Sequence, residues 1–295
     1  MAPGTGTSTD APIPSEVLRS LLFAPGSRAD VLLKLPRSAP SAAVIDLEDA
    51  VPTDHKVEAR IVAHQVAPTL ICDVRLFVRV NATDTDHFAD DVTDGLPPGL
   101  TGVAVPKLES MAAVDAVTDA LDAAGHPHLP IAAGLETVAG VVDARTVTTH
   151  PRVHWCYFGA EDYIADLGGV RTPGNHEVAT ARAQVAQAAR LGGIQAIDMV
   201  VADFGDDERF RREASEARAL GFTGKLCIHP AQVPLAAEAF HPSGAELAWA
   251  TEVSEAYAAA LARGDASIAV NGEMVDEPVA RRARAILAAA AAAAD

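Results

Sequence analysis

Short apolar runs recur along the chain at residues 20–24, 43–47, 76–80, 102–106, 131–135, 156–159, 196–200 and 224–228. Between them lie amphipathic or Ala-rich segments, among them residues 53–66, 110–124, 176–191 and 206–220, which read as helices. Asn, Asp, Ser or Thr stands near several helix starts, and Gly125, Gly192 and Gly221 stand where a left-handed cap would close a helix. Strand-like runs alternating with helices predict βαβ units and a parallel sheet. Eight such runs predict an α/β fold of the TIM (β/α)8 barrel type. The alternative, a doubly wound open sheet, would normally begin with a GxGxxG turn, which Ala24-Pro25-Gly26 is not.

The ends of the chain differ from this repeat. Residues 1–16 are rich in Pro, Gly, Ser and Thr and predict a disordered tail. Residues 17–240 hold the barrel, and residues 241–295 form a C-terminal extension. Within the extension, residues 246–263 predict a helix, Asn271-Gly272 between two short β-type runs predicts a hairpin, and a last helix starts near Glu277. The Ala-rich final segment has few polar residues, which suits packing on the barrel or on a neighbouring subunit.

Charge narrows the range of partners. The chain of 295 residues carries 40 acidic and 23 basic side chains, a formal charge of -17, so nucleic acid and anionic membrane surfaces are repelled. A small anion is not excluded, because a metal or a few local cations reverse the potential inside one pocket. Cys72, Cys156 and Cys227 are too widely spaced for a CxxC site and odd in number for a disulfide framework, so buried, reduced thiols are expected. With neither a signal peptide nor a run of about 20 apolar residues, the expected home is the cytoplasm.

Polar residues collect just past the strand-like runs, where a TIM barrel carries its active site. Glu136 and Asp162, from successive strand ends, could give a hard cation two oxygen ligands and leave the other positions to water and substrate, an arrangement that suits Mg²⁺. Equally, they could pair with Arg or cap helices. Glu161, beside Asp162, is the weaker ligand candidate. Asp46, Glu48 and Asp49 either orient a metal's waters or stabilise the dipole of the following helix. Arg79 ends an apolar strand, where a guanidinium needs an anionic ligand or a carboxylate partner. Lys107 reads as a solvated or paired lysine, and His229 belongs to no metal-like spacing.

Several motifs fall in one order: RSLLFAPGSR from Arg19, IDLEDAVP from Ile45 with Lys56 and Arg60 following, FVRVNA from Phe77, VPKLES from Val105, LET at Leu135, FGAEDYIADLGG from Phe158, GKLCIHPAQV from Gly224 and NGEMVDEP from Asn271. Together they resemble the citrate lyase beta-subunit-like family, within the HpcH/HpaI aldolase and citrate lyase group. The resemblance implies a barrel with a C-terminal extension, assembled as a homotrimer, that cleaves or forms a carbon–carbon bond in a 3-hydroxyacyl-CoA. It implies Mg²⁺ on Glu136 and Asp162, substrate oxygens on Arg79, and support for the metal's waters from Glu48 and Asp49. It further implies that Asp276 exchanges a proton in a neighbouring subunit's site, and that Arg28 and Lys34 lie near the CoA phosphates.

The chain departs from the family pattern at Gly134, where a bulkier apolar residue is usual, and at Leu35-Pro36. These differences are expected to bear on the CoA contacts more than on the metal site. Two other readings remain open at this stage: an aldolase acting on free hydroxy keto acids, and a non-catalytic subunit that binds acyl-CoA.

Overall fold

The computed structural model describes residues 17–291, so the tail expected at residues 1–16 lies outside the described residues. The chain divides into two compact units, one spanning Leu18–Phe240 and one containing the chain from His241 onward. In the first, eight strands close into a barrel in sequence order: β1 (Ser20–Pro25), β2 (Ala42–Asp46), β3 (Leu76–Arg79), β4 (Gly102–Val105), β5 (Ile131–Leu135), β6 (Val153–Phe158), β7 (Gln195–Asp198) and β8 (Gly224–Cys227). All neighbouring pairs are parallel, including the closing pair of β1 and β8. This is the TIM barrel that the alternation of runs predicts.

Successive strand residues face opposite sides of the sheet. Leu21, Val44, Phe77, Trp155, Tyr157 and Ile197 therefore fill the barrel interior, while Leu22, Ile45, Val78 and Val103 join the layer beneath the helices. Each large apolar side chain buried in this way contributes roughly 1.5–3 kcal/mol. Inside the barrel, Ala42, Ala104 and Ala132 leave space that aromatic rings take up. Phe77 and Trp155 meet edge to face, their ring centres 5.2 Å apart, and Tyr157 lies one layer nearer the mouth.

Two expected helix ends shift. The helix after β2 continues through Pro68 to Leu70 instead of stopping at residue 66, because Ala67 and Leu70 still face the core. The cap expected at Gly192 is Gly193, whose φ of 69° is the left-handed one. Gly192 remains helical, and a Cβ there would come within 2.2 Å of the Thr148 carbonyl oxygen, so close packing requires that glycine. Among the cysteines, Cys156 and Cys227 are buried, but Cys72 is exposed, since it falls in the turn beyond the buried end of this helix.

In the second unit, helix Gly244–Arg263 opens with a capping box between Ser243 and Glu246. It packs on helix Glu277–Ala291 through Ala250, Val253, Tyr257, Ala280 and Ala283. The strands β9 (Ile268–Val270) and β10 (Glu273–Val275) form the predicted hairpin, with Asn271 and Gly272 both at positive φ as its turn requires. Among the described residues no helix is long and apolar enough to cross a membrane.

On the outer side of β7 and β8, a charge network that the sequence did not reveal is fully enclosed. Asp198 takes Lys225 Nζ at 2.6 Å and two bonds from the Arg182 guanidinium, at 2.9 and 3.0 Å. Glu213 accepts from Arg209 at 2.7 Å and lies 3.7 Å from Lys225. Removing the shared carboxylate would leave the buried Lys225 and Arg182 only their longer carboxylate contacts, with Glu213 and Glu216 at 3.7 and 3.5 Å, and breaking a buried pair in this way destabilises by about 3–5 kcal/mol. Asp198→Ala is therefore expected to lower the urea midpoint sharply, and a midpoint equal to wild type would contradict this account of the network.

Candidate active site

The site begins with a pairing across two strands. In the β2–β3 register, Asp46 is opposite Arg79, and the two form a fork, Nε to Oδ1 at 2.8 Å and Nη2 to Oδ2 at 2.6 Å. Such bidentate geometry fixes both groups. Asp46 also accepts the backbone N–H groups of Glu48 and Ala50, at 2.9 and 3.3 Å, and so shapes the turn that delivers Glu48. Lys56 secures the same turn from the helix side, donating to the carbonyls of Leu47 and Glu48 at 2.8 Å each. The guanidinium of Arg79 lies over the Phe23 ring, 5.2 Å from its centre.

From this base the acids extend across the mouth. Glu48 Oε2 is 3.0 Å from Arg79 Nη1, an ion pair without hydrogen-bond alignment. Its Oε1 accepts from Lys107 Nζ at 2.8 Å, and the same ammonium is 3.3 Å from Asp162 Oδ1. Lys107 holds a φ of 53°, rare for a residue with a side chain, and its backbone N–H donates to Glu136 Oε1 at 3.0 Å. Lys107 therefore touches all three carboxylates. The sequence reading of a paired lysine is correct as far as it goes, but its partners make it the centre of the cluster.

Glu136 is 2% exposed. Burial pushes its carboxyl up to about 8, the charges of Glu48 and Asp162 add to the rise, and Arg79 and Lys107 oppose it. Burial also raises Glu48, against the pull of Arg79 and Lys107. For Lys107, burial works against the ammonium, but the Glu48 hydrogen bond and charge outweigh it and hold its pKa above the usual lysine range. Asp46, Glu48, Glu136 and Asp162 thus share only Arg79, Lys107 and the more distant Lys56. The mouth has a deficit of positive charge around the buried Glu136.

Those donors fit a hard divalent cation. Glu136 follows β5, and Asp162 lies in the first turn of helix Ala160–Leu167 just after β6. Among the described residues no three His, Cys, Asp or Glu side chains converge as a complete ligand set. Two carboxylates match Mg²⁺, which keeps part of its hydration shell, better than Zn²⁺.

The remaining candidates lie elsewhere. Glu161 is turned to Arg171, at 2.9 Å, while its neighbour Asp162 faces the cluster. Asp49 is exposed on the wall of a cavity of about 390 Å³ that Phe23, Asp46, Arg79, Val200, Leu226 and Ile228 also line. Arg28 and Lys34 are exposed and turned to one carboxylate, Asp30, at 2.9 and 3.8 Å, and they are not brought to the cavity. His229 stacks on Phe204 with ring centres 4.8 Å apart. Asp276, in the C-terminal unit, accepts the Val279 N–H at 3.3 Å and caps helix Glu277–Ala291.

Sequence reasoning passed over Tyr157. Its side chain is 1% exposed inside the barrel, with its hydroxyl 3.5 Å from Glu136 Oε1. Burial holds the phenol well above its usual range and the Glu136 charge adds to this, so it remains a neutral O–H donor. The signal was present in Gly134: a Cβ there would meet the Tyr157 hydroxyl oxygen at 2.5 Å and Glu136 Oε1 at 2.9 Å. The departure from the family pattern at Gly134 thus bears directly on the buried acid.

Comparison with known proteins agrees with this architecture. The description HpcH/HpaI aldolase/citrate lyase matches residues 19–230. A citrate lyase subunit beta-like protein of Deinococcus radiodurans is 54% identical over 279 residues, 93% of this chain and 98% of that one. A (3S)-malyl-CoA thioesterase of Cereibacter sphaeroides (strain ATCC 17025 / ATH 2.4.3) is 34% identical, covering 92% of this chain and 94% of its own. The crystal structure of CitE from Mycobacterium tuberculosis in complex with magnesium, acetoacetate and coenzyme A superposes with a TM-score of 0.78 at 31% identity, covering 94% of this chain and 99% of that chain. The chain belongs to the HpcH/HpaI aldolase/citrate lyase family.

Proposed function

We propose that this protein is a Mg²⁺-dependent carbon–carbon lyase that cleaves a 3-hydroxyacyl-CoA of the malyl, citramalyl or citryl type to acetyl-CoA and a 2-keto acid, or runs the reverse condensation. The observation that carries the reading is the buried Glu136, gathered with Glu48 and Asp162 around the single residue Lys107. A site of that kind gains from a bound cation. The magnesium and coenzyme A in the M. tuberculosis structure, and the malyl-CoA named for the Cereibacter relative, support the same choice.

In this reading Glu136 and Asp162 hold the metal, which when bound supplies Lewis acidity toward the keto acid oxygens. Arg79 offsets the negative charge that develops on the substrate, and the Asp46 fork keeps it aimed. Glu48 and Asp49 orient waters at the mouth. In the cleavage direction the β-hydroxyl loses its proton, the carbon–carbon bond breaks, and the acetyl-CoA enolate takes up a proton. Asp276 of a neighbouring subunit is proposed to exchange that proton, in a homotrimer.

A second reading, an aldolase on free hydroxy keto acids, draws on Arg28 and Lys34, which face Asp30 and not the cavity. An exposed, solvent-screened pair of this kind is readily redirected to a phosphate, so the CoA reading is preferred. Incubation with each thioester and Mg²⁺ is expected to release acetyl-CoA and keto acid from at least one of them; equal turnover of the free acid would favour the second reading. Glu136→Gln and Asp162→Asn are each expected to lower kcat/KM on the order of 10³-fold, several kcal/mol of lost charge stabilisation, with the fold retained by circular dichroism. Rates unchanged in both variants would refute the metal assignment.

The raised Glu136 carboxyl also gives a pH test. Between its unfolded value near 4.5 and its folded value of about 8 the native state binds more protons than the unfolded one, so metal-free stability falls as pH rises through that window. A cation needs the ionised form, so added Mg²⁺ should raise Tm more at pH 8 than at pH 6. A larger rise at pH 6 would contradict the assignment. For the proton carrier, Asp276→Asn retains the helix cap and removes the titratable group. Its kcat is expected to fall while Mg²⁺ binding and Tm hold; loss of metal binding would count against the role.

A further inference from the structure

Tyr157 raises a question that barrel packing alone does not answer. Its ring lies within 6.5 Å of the Phe23 ring centre and 6.1 Å of the Trp155 ring centre, so it fills the top of the interior aromatic stack. Phenylalanine would fill almost the same volume. A buried hydroxyl, by contrast, is unfavourable unless it meets a partner. Two groups are in reach: the Arg79 guanidinium, which donates a hydrogen bond to the phenol oxygen, and Glu136, which can accept from the phenol O–H, its Oε1 3.5 Å away at the outer limit of a hydrogen bond.

The surroundings of Glu136 are shaped for that contact. On one side is Gly134, where a Cβ would lie 2.5 Å from the Tyr157 hydroxyl oxygen; on the other is Gly159, where a Cβ would lie 2.2 Å from Glu136 Oε2. Both glycines therefore hold space, Gly134 for the phenol and the Oε1 edge of the carboxylate, and Gly159 for its Oε2 edge. Neither needs its glycine for backbone conformation, since both fall outside the positive-φ positions. The backbone N–H of Lys107 donates to the same Oε1 at 3.0 Å. Two donors on one oxygen fix the rotation of the carboxylate and leave Oε2 to be aimed.

We infer that Tyr157, seated in the space left by Gly134, is a positioning residue for Glu136: its hydroxyl holds the carboxylate in the orientation that receives the divalent cation. The inference rests on the metal reading proposed above and adds to it a residue that acts through Glu136. Groups that orient metal ligands in this way contribute about 10–100-fold to affinity or activity.

The test is Mn²⁺ binding to the full-length protein, followed by electron paramagnetic resonance without substrate, so that turnover plays no part. Tyr157→Phe keeps the ring and removes the hydroxyl; its Mn²⁺ affinity is expected to fall at least about tenfold while Tm stays close to wild type. Gly134→Ala keeps the hydroxyl but displaces it and is expected to weaken binding similarly. Gly134→Ala crowds both the phenol oxygen and Glu136 Oε1, so the loss it causes should be smaller in the Tyr157→Phe background than in the wild type. Should Tyr157→Phe lower Tm by more than about 5 °C, Gly134→Ala decides.

Glu136→Gln separates the two levels of the argument. Wild-type Mn²⁺ affinity in Glu136→Gln would remove the metal reading and this inference with it. Loss of binding in Glu136→Gln, with wild-type affinity in Tyr157→Phe and Gly134→Ala, would overturn the role of Tyr157 alone. Fully additive losses in the double variant would also overturn it.

Discussion

Four carboxylates meet at the mouth of this barrel in a space that buries the deepest of them, and the two nearest cations do not balance them. Asp46 and Arg79 satisfy each other through two short bonds. Lys107 then divides one ammonium among Glu48, Asp162 and, through its backbone, Glu136. The left-handed backbone of Lys107 is held against its conformational preference to make that arrangement. An unusual backbone conformation and unmatched negative charge thus coincide at the mouth, which is the ground for the cation site proposed above.

The rest of the barrel makes that concentration of acid tolerable. Small residues on interior-facing positions admit Phe77, Trp155 and Tyr157, which fill the interior beneath the acids and keep water out. Lys56 and Arg60, from one helix, brace the loops after β2 and β3. The first holds the Leu47 and Glu48 carbonyls, and the second pairs at 2.8 Å with Asp91, which in turn accepts from the Asn81 backbone at 2.7 Å. The functional groups are therefore carried on strand ends and clamped from behind. Precision of this kind is what lets a few side chains stabilise developing charge.

Much of this was legible in the sequence, for a definite reason. Strand residues alternate between interior and helix-facing layers, so apolar runs separated by helices already specified a closed parallel barrel, and polar residues just past each run already specified one mouth. What sequence could not supply was register. That Arg79 is matched to Asp46 follows from the offset between β2 and β3. That Arg28 and Lys34 both turn to Asp30 follows from a short helix at Ala29–Leu32. Gly134 was noticed as a departure, but its meaning lay 23 residues further along, in Tyr157, and only the pairing of β5 with β6 brings the two side by side.

The most direct test of the central claim is anomalous scattering from crystals of the protein soaked with Mn²⁺. The account predicts a single strong peak at the barrel mouth, within about 2.2 Å of one oxygen each from Glu136 and Asp162. A mouth without a peak at full Mn²⁺ occupancy elsewhere, or a peak coordinated by neither carboxylate, would contradict it.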